Sequence, residues 1–277
     1  MPSTVRRVEV PVPGEPLPPA LLEAAVAAMA ADGIVILGGA IPLAVHRALA
    51  DKMTEDMLTL NVNDGDLDFG HGDEESVAAI GEEGQKGEAE RRPKDFRGIR
   101  PPPFAPHLHR EIVYNEAACQ VSGAYLGPEP TLVTYATNSS FPGSQQQGVH
   151  ADNPFPLDPT HVANRSPGLV LNIPIQDYSV ENGATLTYPG SHLNTSPTVT
   201  MDELVGGTVI PPARLAEREA CRPSEQPCPR RGDIVLRDLR LWRETKSHSI
   251  SPACSIEFRP LRNPSHPVIT SPPFFDH

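Results

Sequence analysis

Apolar residues fall in short runs separated by proline, glycine and small polar residues, and the runs change character along the chain. The stretch "ALLEAAVAAMAAD" from Ala20, preceded by Pro18 and Pro19, has the Ala, Leu and Met content of a helix, and Gly33 ends it. "IVILGG" at 34–39 is an apolar run bounded by glycines and predicts a strand. From Pro42, "PLAVHRALADKMTEDMLTL" starts a second helix with proline in its first turn, and Leu43, Ala50, Met53 and Met57 are spaced to face a core. "HLHREIVYNEAACQVSGAYLG", from 107, predicts a third. Beyond it the pattern becomes that of strands: "TLVTYAT" (131–137), "GLVLNIPI" (168–175), "ATLTYP" (184–189), "DIVLRDL" (233–239) and "CSIEFRP" (254–260). Pro, Gly, Asn and Ser turns separate them, which predicts an antiparallel barrel or sandwich. No GxGxxG, no alternation of strand and helix and no internal repeat is present, so a Rossmann unit is not indicated.

Composition agrees with strands and connectors rather than a helical bundle, since 33 Pro and 21 Gly accompany 38% hydrophobic residues in 277. One large domain is the simplest organisation for that length. The first 19 residues hold six prolines and predict an extended arm, and a second Pro-rich stretch, 261–277, reads as a tail. Between them 20–260 forms the domain. A net charge of -12 argues against a nucleic-acid partner, which requires a basic surface. No apolar run approaches the ~20 residues of a membrane span, and "MPSTVRRVEVPVPGEPLPP" has no signal-peptide core, so a cytoplasmic protein without membrane attachment is expected. Four cysteines, Cys119, Cys221, Cys228 and Cys254, form no CxxC pair and read as reduced structural thiols, with a Cys221–Cys228 disulfide or zinc as the alternatives.

Residues 61–90 carry ten Asp or Glu against one Lys and read as a solvated loop. Asp64, Asp66, Asp68 and Glu75 there match positions of a calcium hand, but Phe69 stands where its tight turn needs glycine, which arrives only at Gly70. A charged loop is therefore the better reading.

The chemistry lies further on, in "QQQGVHADNPFP" (145–156) and "GDIVLRDLRLWRETKSHSI" (232–250). If "GVHAD" ends a strand, His150 and Asp152 point the same way with Cα atoms roughly 6.6 Å apart, close enough to share one ion. An imidazole and a carboxylate are two of the three ligands of a 2-His-1-carboxylate site. By itself a His-x-Asp spacing is a weak signal.

The neighbouring motifs strengthen it. "QQQGVHADN", "LNIPIQDYSVENGATLTYPGSH" (171–192) and "GDIVLRDLRLW" (232–242) together resemble, in order and spacing, the phytanoyl-CoA dioxygenase family of iron(II)/2-oxoglutarate-dependent oxygenases, over roughly 20–260. "ENGAT" followed by "YPGSH" is the most specific part. The resemblance implies a mainly β fold with flanking helices, a double-stranded β-helix or jelly roll of cupin type. It makes His150 and Asp152 the first two iron ligands. Asn182–Gly183 and Pro189–Gly190 supply the turns of that frame. Thr185 and one of Gln145 to Gln147, with Gln147 preferred, are candidates to line the cosubstrate pocket, with solvent-facing polar residues as the alternative. For His192 a loop-fixing role is expected rather than metal binding.

The resemblance also exposes a departure. Family members place the third ligand, a histidine, directly after the aromatic of a stretch like "DLRLW", and Arg243 stands there. A guanidinium stays protonated and has no lone pair for a metal. The arginine that binds 2-oxoglutarate is expected about eleven residues beyond, at Cys254, and a thiol gives up that charge-assisted fork. Arg259 lies five residues past 254, on the opposite face of a regular strand. His248 is the weak substitute for the lost ligand. Arg243, if close to Asp152, would instead pair with it in the vacant position, a buried charge requiring such a partner.

Three functions are then open. The first is a catalytically impaired homologue of an iron(II)/2-oxoglutarate oxygenase, without iron or binding it weakly, kept as scaffold or accessory subunit of an active homologue in terpenoid or polyketide oxidation. Its expected partner is that homologue, as a heterodimer, or a second copy. The second is an active dioxygenase with iron(II), 2-oxoglutarate and an atypical third ligand. The third is a metal-independent isomerase or cyclase using the inherited cavity.

Overall fold

The computed structural model describes residues 3–62, 97–100, 108–140, 147–152, 166, 168–193, 201–202, 207–245 and 253–259. Most of the acidic 61–90 segment, with its calcium-hand residues, and the 261–277 tail lie outside them. The described chain is a mixed α/β structure of two sheets and several helices.

The strands are β1 (Arg7–Glu9), β2 (Ile34–Gly38), β3 (Arg97–Arg100), β4 (Thr131–Ser140), β5 (Gln147–Ala151), β6 (Leu169–Pro174), β7 (Leu186–Thr187), β8 (Met201–Asp202), β9 (Gly207–Val209), β10 (Ile234–Asp238), β11 (Arg243–Thr245) and β12 (Ala253–Arg259). Seven form a large sheet in the order β1-β2-β10-β6-β12-β4-β3, and five a smaller one in the order β7-β11-β5-β9-β8. Among the described residues all strand pairings are antiparallel except β1 with β2.

Alternation along the central strands divides the large sheet into two faces. Val35, Leu37, Leu169, Leu171, Ile173, Ile234 and Leu236 are buried in one core with the helices. That core takes Ala25, Ala28 and Met29 from α1 (Pro19–Asp32), Leu49 and Met53 from α2 (Leu43–Val62), Ile112 from α3 (Arg110–Val113) and Ala117, Ala118 and Val121 from α4 (Glu116–Leu126). Each fully buried Leu or Ile contributes about 1.5–3 kcal/mol. The intervening residues Ile34, Ile36 and Val235 form a separate cluster with Val5 and Leu241, on the other face. In the small sheet Val149 and Ala151 pack with Tyr188, Ile210, Trp242 and Leu215 of α5 (Pro212–Cys221).

Several local expectations are corrected. Leu43 is 64% exposed, whereas Met53 is buried and Ala50 packs against the core as expected; His46 and Leu49 complete the buried stripe at i, i+3 and i+7, and the Met57 side chain lies outside the described residues. The helix from 107 is two, because the Asn115 side chain accepts from the Ala118 backbone N–H and caps a new start after Tyr114. "ATLTYP" pairs as a strand only over 186–187. The N-terminal arm contributes an edge strand, with Val5, Val8 and Val10 buried. Arg7 forks onto Asp233 at 2.5 and 2.9 Å, fastening the arm to the turn that begins β10. Cys119, Cys221 and Cys228 are free thiols. No described helix is long and apolar enough to cross a membrane.

Candidate functional site

The site is assembled by side-chain parity on two sheets. In β5, Val149 and Ala151 belong to the outer cluster, so His150 and, just past the strand end, Asp152 point to the opposite face. β11 pairs with β5 so that Arg243 stands directly opposite His150, and with β7 so that Arg243 stands opposite Thr187. Its approach is fixed by the "YPGSH" segment. The Trp242 N–H donates to Ser191 Oγ at 2.8 Å, and the Tyr188 N–H donates to the Trp242 carbonyl at 3.0 Å.

Arg243 meets Asp152. Its Nε and Nη2 both donate to Asp152 Oδ1, at 3.0 and 2.7 Å. A second guanidinium, that of Arg237, forms an ion pair through Nη1 with Asp152 Oδ2. Arg237 comes from the large sheet, on the same face of β10 as Val235, and its Nε donates to Asn172 Oδ1 of β6 at 2.9 Å. His150 Nδ1–H donates to the Gly148 carbonyl at 2.8 Å, and Nε2 lies 3.5 Å from Asp152 Oδ1. The Asp152 side chain keeps 19% of its exposure, Arg243 14% and Arg237 7%. Burial by itself would raise the Asp152 carboxyl, but the Arg237 and Arg243 charges hold it well below the usual carboxylate range.

The remaining residues singled out by sequence are more dispersed. Gln147 begins β5, opposite Thr245, while Gln145, Gln146 and His248 lie outside the described residues. Thr185 is half-buried just before β7. Cys254 is in β12 of the large sheet, opposite Ile173 on one side and Thr137 on the other. Ile173 belongs to the helix-side core, whereas Asn172, the partner of Arg237, stands opposite Ser255. His192 is fully buried and its Nε2–H donates to the Ala30 carbonyl at 3.2 Å, tying down the end of α1.

Sequence reasoning missed Arg237 and Ser191. The signal for Arg237 was a charged residue directly after the apolar run "IVL" of a strand, at a position whose parity with Val235 commits it to the face away from the helices.

Iron(II) does not fit the donor set as it stands. Lone pairs are offered by His150 Nε2 and Asp152, while both Asp152 oxygens are engaged by guanidiniums, which cannot coordinate. Among the described residues no three His, Cys, Asp or Glu side chains gather closely enough to hold a metal ion.

Comparison with known proteins extends this picture. The crystal structure of AviO1 from Streptomyces viridochromogenes Tue57 superposes with a TM-score of 0.53 at 20% identity, covering 89% of this chain and 96% of that one. The epimerase SnoN, in complex with Fe3+, alpha-ketoglutarate and nogalamycin RO, gives 0.57 at 17% identity, over 87% and 84%. The non-heme alpha-ketoglutarate-dependent carbocyclase SnoK from nogalamycin biosynthesis gives 0.56 at 17%, over 90% and 87%. At these identities the likeness is one of fold. The family model for phytanoyl-CoA dioxygenase matches residues 31–249, most of the chain and all of the site residues from His150 to Arg243. The chain belongs to the phytanoyl-CoA dioxygenase (PhyH) family, and an arginine pair closes on its Asp152 carboxylate.

Proposed function

We propose that this protein is a catalytically impaired member of its family, with its two sheets wrapped as a double-stranded β-helix, and that it serves as scaffold or accessory subunit of an active homologue. One observation carries the impairment: Asp152, the inherited carboxylate ligand, has each of its oxygens bound by a guanidinium, one of them from the position of the third ligand. A carboxylate so neutralised offers little to a cation, and a protonated guanidinium offers nothing. The likeness of fold to SnoN and SnoK, whose own names tie them to nogalamycin and its biosynthesis, supports a setting in natural-product oxidation of terpenoid or polyketide type. The partner proposed is a homologous oxygenase subunit, or a second copy of the chain, with the acidic 61–90 segment and the Pro-rich ends as contact surfaces and no role for nucleic acid or membrane.

Two experiments test the two halves. Incubation of the purified protein with iron(II), 2-oxoglutarate and ascorbate is expected to release no succinate above a protein-free control; stoichiometric iron with succinate release would sink the impairment and point to an atypical third ligand such as His248. Co-expression with active oxygenases of the same family is expected to yield a complex on size-exclusion chromatography. Migration of each protein alone in every pairing would remove the subunit role.

A further inference from the structure

Arg243 by itself does not account for a site closed to cations. Residue 243 stands opposite His150 in the register of β5 and β11, and directly paired residues of an antiparallel ladder have Cα atoms about 4.5–5.5 Å apart with side chains on the same face. The Arg243 side chain already reaches Asp152 Oδ1 at 2.7 Å. A lone-pair donor at 243 would therefore join His150 and Asp152 around one point, and three donors suffice for a divalent cation with open positions.

The other oxygen of that carboxylate is held independently. Arg237 approaches from the large sheet, on a different strand and from a position matching neither a metal ligand nor the cosubstrate arginine in the motifs, and its ion pair is with Oδ2. It is 6% exposed, and its Nε is anchored at 2.9 Å to Asn172 Oδ1, so it has no inexpensive route into solvent. A fixed positive charge on the ligating carboxylate opposes a divalent ion whatever occupies position 243.

We infer that Arg237 is a second lock on a latent divalent-cation site formed by His150, Asp152 and position 243, so that a donor restored at 243 alone leaves the site closed to metal. This rests on the proposed function, in which Arg243 fills the metal position, and adds a determinant from the opposite sheet.

The test compares the wild type with Arg243→His, Arg237→Gln and the double variant. Glutamine removes the charge at 237 while keeping a side-chain donor for Asn172. Each folded protein is titrated with cobalt(II), read by its d–d absorption and by calorimetry. The double variant is expected to bind one equivalent roughly 10- to 100-fold more tightly than Arg243→His, the range over which partners of metal ligands tune affinity. Arg243→His binding as tightly as the double variant would overturn the role of Arg237 while leaving the closed wild-type site intact. A folded double variant that binds no better than the wild type would overturn the latent site. Wild-type protein that binds one equivalent, lost on His150→Ala, would overturn the proposed function itself. If circular dichroism shows that Arg237→Gln does not fold, Arg237→Met with Asn172→Leu, which replaces the hydrogen-bonded pair by an apolar one, serves in the same comparison.

Discussion

Replacing Asp152 by asparagine isolates the charge at the centre of the site. The amide keeps nearly the shape of the carboxylate and one acceptor for Arg243, but it leaves Arg237 and Arg243, with 7% and 14% of their side-chain surface exposed, facing each other without the anion they share. Breaking a buried ion pair by removing one partner costs about 3–5 kcal/mol. The 19% residual exposure of Asp152 and the acceptor that the substituted amide retains lower this to about 2–4 kcal/mol. In a chain of this size each kcal/mol shifts the melting temperature by roughly 2–4 °C, so a fall of roughly 5–15 °C is expected. Urea unfolding at neutral pH followed by circular dichroism measures the free energy directly. Removing a cation as well should relieve the repulsion, so Asp152→Asn with Arg243→Met is expected to be more stable than Asp152→Asn by about 1 kcal/mol or more. A loss below about 1 kcal/mol for Asp152→Asn, the value of an exposed pair, would refute the closed, partly desolvated cluster.

Three further outcomes follow from the same structure. Gly33→Ala is expected to cost about 2 kcal/mol or more in urea unfolding, because φ is +72° and an added Cβ would stand 2.5 Å from His192 Nδ1; His192→Ala in that background should recover part of the loss, leaving the backbone penalty. Arg7→Met is expected to destabilise by about 2 kcal/mol, since it removes the fork onto Asp233, whose side chain is 1% exposed while Arg7 is 31% exposed and partly screened. Asp238 is fully buried, and although burial pushes its carboxyl up, the Arg240 fork at 2.9 and 2.8 Å and that side chain's charge hold it below the ordinary range. Its folded pKa being depressed, its contribution is present above the unfolded carboxyl's value of about 4 and is lost as pH falls through the folded value. Stability of the wild type relative to Asp238→Asn should therefore be level from about pH 5 to 8 and shrink below about pH 4, as read from urea midpoints at each pH.

Much of the scaffold was legible from pattern alone, because strands such as "IVILG", "LVLNIP" and "IVLRD" open on consecutive apolar residues that are buried on both faces, and are bounded by turn residues. Local chemistry was legible where spacing matched a motif. His150, Asp152 and Arg243 could be aligned because each lies beside a turn or aromatic that fixes its offset. Asn115 was missed although Asn followed by Glu is a helix-start signal, because the surrounding apolar residues fit one continuous helix equally well. The arm was masked by its prolines, yet Val8 and Val10 alternate around Glu9 as an edge strand does. Arg237 escaped for a different reason: its role depends on the face of one sheet meeting the strand end of another, and no linear spacing encodes that pairing.

In the proposed function guanidinium contacts on Asp152 stand in place of metal coordination, and the most direct measurement is the iron content of anaerobically reconstituted wild-type protein after gel filtration. The arginine pair predicts far less than one iron per chain, unchanged by His150→Ala or Asp152→Asn. One iron per chain, lost in both variants, would contradict it.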